Sequence, residues 1–208
     1  MKNQKLYSRT YMKEIIIDGV TYICTPKEEV KVEHEFVDLG LPSGRLWATC
    51  NIGAEKPTDY GDYFACGAVE PCNINDCDIN SFNDTDAAKL SEMDDGHDAA
   101  KVLWGDDWRM PTLTDFAELI LNCTYDSEVI DGISCGVFTS KENNQKIVMP
   151  AAGDLVGVTF FDRGSNGYYW SRSFDSSTST WAMYFNSEDW YLDDFARDCG
   201  FSVRPVRV

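Results

Sequence analysis

Residues 13–24 read Lys-Glu-Ile-Ile-Ile-Asp-Gly-Val-Thr-Tyr-Ile-Cys, two β-rich runs meeting at Asp18-Gly19. Aspartate and glycine accept the positive φ angles of a two-residue turn, so the stretch is expected to be a hairpin. Charged residues 25–35 then lead to the main body. A second hairpin is expected around 41–44, with 36–39 running in and 46–51 running out through Trp47. From 68 to 96 apolar residues become sparse and Asn, Asp and Ser dominate, the composition of a long surface excursion.

Two segments carry helical signals. Residues 98–104 predict a short helix ending at Gly105. Past Pro111, Thr112 is a good N-cap, Asp115 sits three positions on as in a capping box, and Phe116, Leu119 and Ile120 repeat at helical spacing. That helix is expected to end at Asn122 or Cys123, with Trp108 packed beneath it. The remainder reads as short strands at 136–140, 146–149, 168–173, 180–186, 190–192 and 201–206, joined by turns of Asn, Gly, Asp and Ser. The pattern predicts an α+β domain: two helices with short antiparallel strands and long loops.

Composition narrows the function classes. Hydrophobic residues make up 43% and aromatic residues 13% of the 208, which is a globular composition. Against 18 basic residues stand 35 acidic ones, a formal net charge of −17. Such a surface repels phosphate backbones and anionic lipid, so nucleic acid is not an expected partner. No run is long and apolar enough for membrane insertion. The polar first eleven residues do not resemble a secretory signal. The expected location is therefore a phage virion or the cytoplasm, or the cell surface if a leader was removed.

The eight cysteines include no CxxC pair, so a structural metal is not expected. Cys72 and Cys77 are close enough in sequence to pair in an oxidising setting; reduced, buried thiols are the expectation. His34 and His97 are the two histidines, and neither lies beside a nucleophile motif, so both are expected to be solvated and no hydrolase triad is expected. The carboxylates Asp76, Asp78, Asp84, Asp86, Asp94 and Asp95 could hold calcium but lack EF-hand spacing. An acidic solvated loop is the expectation, with no cofactor. Arg204 and Arg207 are expected to pair with carboxylates.

Six segments in order carry a family resemblance. They are Val37-Asp-Leu-Gly-Leu-Pro-Ser-Gly-Arg-Leu-Trp-Ala-Thr-Cys-Asn51, Tyr60-Gly-Asp-Tyr-Phe64, Trp108-Arg-Met-Pro-Thr112, Met149-Pro-Ala-Ala-Gly153, Gly167-Tyr-Tyr-Trp-Ser171 and Gly200-Phe-Ser-Val-Arg-Pro-Val206. Together they resemble the Fibrobacter major paralogous domain family of gut bacteria. The resemblance implies a C-type lectin-like fold of the formylglycine-generating-enzyme-like branch over 36–208, preceded by an N-terminal hairpin and linker over 1–35. The same fold serves the variable proteins of diversity-generating retroelements, whose C-terminal side chains form a ligand-binding face.

The stretch 168–199 suits recognition. Tyr, Trp and Arg offer large contact area with a polar handle, and Ser and Asp add adaptable hydrogen bonds. The candidate ligand-binding residues are Tyr168, Tyr169, Arg172, Phe174, Asp175, Trp190, Tyr191, Asp193, Asp194, Phe195, Ala196, Arg197, Asp198 and Cys199. Trp170, Met183 and Phe185 are expected in the core. The competing reading adds Trp181 and Tyr184 to the core and makes 193–199 a solvated turn.

The expected function is ligand recognition by a non-enzyme, as the diversified target of a retroelement, with a protein or glycan on another cell surface as partner. The alternative is an adhesive or structural surface domain of the same family without diversification. Third comes an oxidase of the formylglycine-generating type. Those enzymes use a C-terminal cysteine pair, and Cys199 has no near partner in sequence. Asp193 and Asp194 are adjacent, which disfavours a paired-carboxylate glycosidase.

Overall fold

The computed structural model describes residues 13–17, 20–24, 33–72 and 91–208. The chain divides into two compact units, Met1–Glu33 and His34–Val208. In the first, β1 (Lys13–Ile17) and β2 (Val20–Cys24) pair antiparallel from Lys13↔Cys24 to Ile17↔Val20. That register leaves a two-residue connection, as the sequence predicted; Asp18 and Gly19 themselves lie outside the described residues, as do most of the 25–35 linker and residues 73–90 of the polar excursion.

In the second unit β3 (Phe36–Asp38) and β4 (Leu46–Ala48) form the second hairpin. The short helix α1 (Ala99–Trp104) follows the excursion, capped by Asp98 and closed at Gly105. Next come β5 (Trp108–Arg109) and α2 (Leu113–Asn122). The Thr112 side chain accepts from the Asp115 amide while the Asp115 side chain accepts from the Thr112 amide, so two of the helix's orphan donors are satisfied. Asp115 also accepts from Arg109 at 2.6 Å. Phe116, Leu119 and Ile120 are buried as the spacing required.

The rest is antiparallel. β6 (Cys123–Ile130), β7 (Ile133–Ser140) and β8 (Lys146–Pro150) form a meander. β9 (Asp154–Val156) and β10 (Thr159–Phe161) make a short hairpin. β11 (Gly167–Phe174), β12 (Ser179–Phe185) and β13 (Trp190–Ala196) make a second meander. β14 (Cys199–Gly200) joins the β9 edge, and β15 (Val206–Arg207) slots between β4 and β5. The unit is α+β, with two helices among the described residues. None of the described helices is long and apolar enough to cross a membrane.

Several sequence expectations are corrected. β6 was missed because its alternation, Thr124, Asp126 and Glu128 against Cys123, Tyr125 and Val129, is too polar to read as a buried strand. Residues 201–206 are not one strand. Phe201 and Ser202 make single bridges to Phe64 and Tyr169, and pairing resumes only at Val206. Pro205 has no amide to give a ladder, and Arg204 turns inward. The Arg204 guanidinium is fully buried and meets no carboxylate: it donates to Asn51 Oδ1 at 2.8 Å and to the Ala48 and Thr49 carbonyls. Trp108 packs edge-on against Trp104 of α1; Trp47 takes the place under α2, 5.6 Å from Phe116. His34 is not a solvated linker residue, since its ring stacks on Trp104 at 3.6 Å and burial lowers its pKa.

Candidate ligand-binding face

Strand alternation sorts the side chains of β11, β12 and β13 onto two faces. Tyr169, Met183, Phe185 and Leu192 point to one face and pack with Phe116, Phe138 and Met149 in the largest core cluster. Gly167 is required at the head of β11: a Cβ there would stand 2.2 Å from the Phe185 ring. Trp170 and Ala182 point the other way, into a second cluster with Phe64, Met93 and Phe201.

That second cluster covers the face around Trp170, Thr180 and Ala182, and leaves the end beyond them open. There the register aligns Tyr168 with Tyr184 and Tyr184 with Tyr191, one tyrosine per strand. Tyr168 lies 5.0 Å from Tyr184, and its other neighbours are Phe201 at 5.0 Å and Phe195 at 5.6 Å. Tyr168 is thus half in the core and half in the open face. Asp193 sits two residues beyond Tyr191 on the same side. Loop residues Asp162 and Asn166 close the opposite wall, where Asp162 Oδ2 accepts from Asn166 at 2.8 Å and from the Tyr168 hydroxyl at 3.1 Å. The result is an open cleft of about 340 Å³, at the small end of ordinary ligand sites. Burial, reinforced by Asp162 and Asp154, pushes the Tyr168 phenol well up, so it stays protonated.

Four of the residues singled out from sequence line this cleft: Tyr168, Tyr191, Asp193 and Phe195. Two others are corrected outright. Tyr169 has no exposed surface and donates its hydroxyl hydrogen bond to the Pro150 carbonyl at 2.7 Å. It follows Tyr168 in a strand and so must face the opposite side. Arg172 is buried too, donating to Asp98 at 2.9 Å and to the Met93 carbonyl. Asp98 in turn caps α1 and accepts from the Met110 amide. Burial pushes its carboxyl up against the pull of those amides and of Arg172. Arg172 is therefore a tie between β11 and the α1 segment.

The remaining candidates lie away from the cleft lining. Trp190 packs on the main core cluster. Asp194 is exposed, opposite Trp181 in register. Arg197 lies over the Phe174 ring at 4.2 Å and donates to the Ser176 carbonyl. Asp175 accepts from Ser179 in the β11–β12 turn, and Ala196 and Asp198 are exposed. Residues 193–196 belong to a paired strand, not a solvated turn. Cys199 is half-buried opposite Val156, and burial first, then Asp198 and Asp154, push its thiol up to about 11.

Asp162 and Asn166 were not singled out from sequence, and Tyr184 was named only as a core residue in the competing reading, whereas it lines the cleft. Tyr184 was legible as part of a β12–β13 hairpin around the turn at 186–189, whose register puts Tyr184 opposite Tyr191. Asp162 and Asn166 come to the cleft through a loop whose path no local pattern specifies.

Other chemistry is sparse among the described residues. His97 hydrogen-bonds Asp94. No group of three or more His, Cys, Asp and Glu side chains is placed to hold a metal there; Asp76, Asp78, Asp84 and Asp86 lie outside the described residues. Cys72 is disulfide-bonded, contrary to the expected reduced thiols, while Cys50, Cys66, Cys123, Cys135 and Cys199 are free. Comparison with known proteins finds no matching family model, curated protein or solved structure.

Proposed function

We propose that this chain is a recognition protein that binds a protein or glycan on another cell surface through the open face of β11–β13, on a scaffold of the C-type lectin-like kind. The observation that carries this is the three-strand tyrosine row ending at Tyr191, which is 45% exposed while the buried side chains of the same sheet pack into two cores. Aromatic side chains held on paired strands lose little freedom on binding, and an exposed aromatic group at a concave site is the usual mark of contact. A non-catalytic role is supported by the state of the candidate nucleophile: a Cys199 thiol held up to about 11 is mostly protonated at neutral pH.

Diversification by a retroelement fits part of the face. Tyr191 and Asp193 are exposed on the cleft side of β13 and Asp194 on its other side, and among the described residues β13 has no strand neighbour on its far edge, so these side chains can change with little repacking. Phe195 and Cys199 pack against the second core cluster, and free variation there is less compatible with folding. Near-identical gene copies differing at template adenines in 191–194 would support it; identical copies would reduce the protein to an undiversified adhesive domain.

The test is binding of the fluorescently labelled full chain to intact cells of a bacterial panel. Saturable binding should fall in Tyr191→Ala and persist in Asp126→Asn, which changes an exposed residue on β6. Equal binding by the Tyr191 variant would remove the proposal.

A further inference from the structure

The cleft's polar wall is one-sided in its chemistry. Asp162 and Asp193 supply carboxylate oxygens, and among the described residues no basic side chain lines the site. Asn166 Nδ2 directs one of its two N–H groups at Asp162. Among the described residues Asp193 Oδ1 accepts the Asp194 amide at 3.0 Å and no other donor. Neither carboxylate has an ion-pair partner among the described residues. The unmet need of these two carboxylates is for donors, and a ligand that completes the wall brings donors to them.

The aromatic floor narrows the choice further. Tyr184 and Tyr191 stack on each other with planes 13° apart, so they cover each other's facing sides and a ligand meets the outer side of the row. Ring faces carry negative potential, and two carboxylates at their margin add to it. The whole chain, at net charge −17, adds a field of the same sign.

We propose that the cleft takes the cationic side chain, arginine or lysine, of a basic segment of a partner protein. Guanidinium and ammonium groups are donor-only and always or nearly always charged at neutral pH. Either can lie against the tyrosine row while its N–H groups reach Asp193 on one side and Asp162 on the other. This rests on the recognition proposal above and specifies which of its two partner classes the cleft selects.

The probe is N-acetyl-arginine N-methylamide, titrated into the full chain while the tyrosine ring resonances are followed by NMR. Its neutral isostere, the citrulline analogue, and a set of neutral monosaccharides serve as comparisons. Saturable shifts should appear at Tyr184 and Tyr191 with the arginine compound alone and weaken with added salt. Asp193→Asn should weaken binding by about tenfold, one charge-assisted contact's worth. Asp126→Asn removes the same charge elsewhere and should leave binding unchanged.

Equal binding of the citrulline compound, or an equal loss in Asp126→Asn, overturns the proposal by showing that no local cation recognition exists. Shifts at the same tyrosines from a sugar but not from arginine overturn it too, yet leave the recognition face standing. If no probe binds while Tyr191→Ala still abolishes binding to cells, the cation assignment fails alone. Cell binding unaffected by Tyr191→Ala removes the recognition face itself.

Discussion

The Arg172 guanidinium donates to Asp98 at 2.9 Å, joining β11 to the cap of α1 with both side chains nearly out of solvent. The dependence is unequal: Asp98 is fully buried and an unpaired charge there keeps its desolvation penalty, whereas Arg172 also has Glu92 and Asp95 at 3.6 Å. Arg172→Ala is expected to cost about 3–5 kcal/mol, read as a lower urea midpoint. Asp98→Asn should cost less, since an amide oxygen can still cap α1. Where Arg172→Ala remains folded it should bind cells as well as the parent, because the side chain does not reach the cleft.

Tyr191 gives the opposite profile. Its ring stacks on Tyr184 with centroids 5.3 Å apart but is otherwise open to solvent. Tyr191→Ala should therefore destabilise the fold by only about 1 kcal/mol, the worth of an aromatic pair. Thermal unfolding would check this. A large stability loss would mean that Tyr191 supports the fold and that its effect on binding says nothing about contact.

Asp115 ties stability to acid pH. Burial pushes its carboxyl up, but the hydrogen bonds from Arg109 and Thr112, with the Arg109 charge, outweigh that and leave its pKa below the ordinary 3.8. A group with a depressed folded pKa contributes stability that is complete above the unfolded value and is lost as pH falls through the folded one. Stability of the parent should thus fall as pH drops below about 4, and Asp115→Asn should flatten that part of the profile. Urea midpoints measured across that range would decide it.

Cys199 should be slow to react. With its thiol up at about 11, its thiolate fraction at pH 8 lies about two orders of magnitude below that of a free cysteine. Alkylation followed by mass spectrometry should show Cys199 labelled far more slowly than a cysteine-containing peptide. Rapid labelling would reopen the oxidase alternative, and copper-dependent turnover lost in Cys199→Ser would establish it.

Local signals read true where the physics is local. The Thr112–Asp115 box, the stop at Gly105 and the pairing of 13–17 with 20–24 all depend on residues within a few positions of one another, and all were legible; Asp98 was read as the first helical residue and is the cap instead. So were Trp170, Met183 and Phe185 as core. What failed depends on pairing across the chain. Arg172 looked like a contact residue because nothing near it in sequence is its partner, and Arg204 looked like one half of an ion pair when its partners are Asn51 and two carbonyls. Tyr168 and Tyr169 looked equivalent until strand alternation put one on each side of the sheet. Residues 193–196 read as loop because Asp193 and Asp194 are poor strand formers, yet on an edge strand outward carboxylates are tolerated and discourage pairing with another chain.

Val206 sits between Trp47 and Arg109 in the β3–β4–β15–β5 sheet, with both neighbours far earlier in the chain. Each pairing closes a long stretch of chain and so carries a loop-closure cost that the local hairpins do not. Proteins dominated by such distant pairings reach the native state in milliseconds to seconds, not microseconds. The sheet that holds the hairpin at Trp47 to the rest of the unit is then among the last parts to close, and a chain caught before that moment would still show the underside of α2, with Phe116 uncovered, to any chaperone or protease nearby.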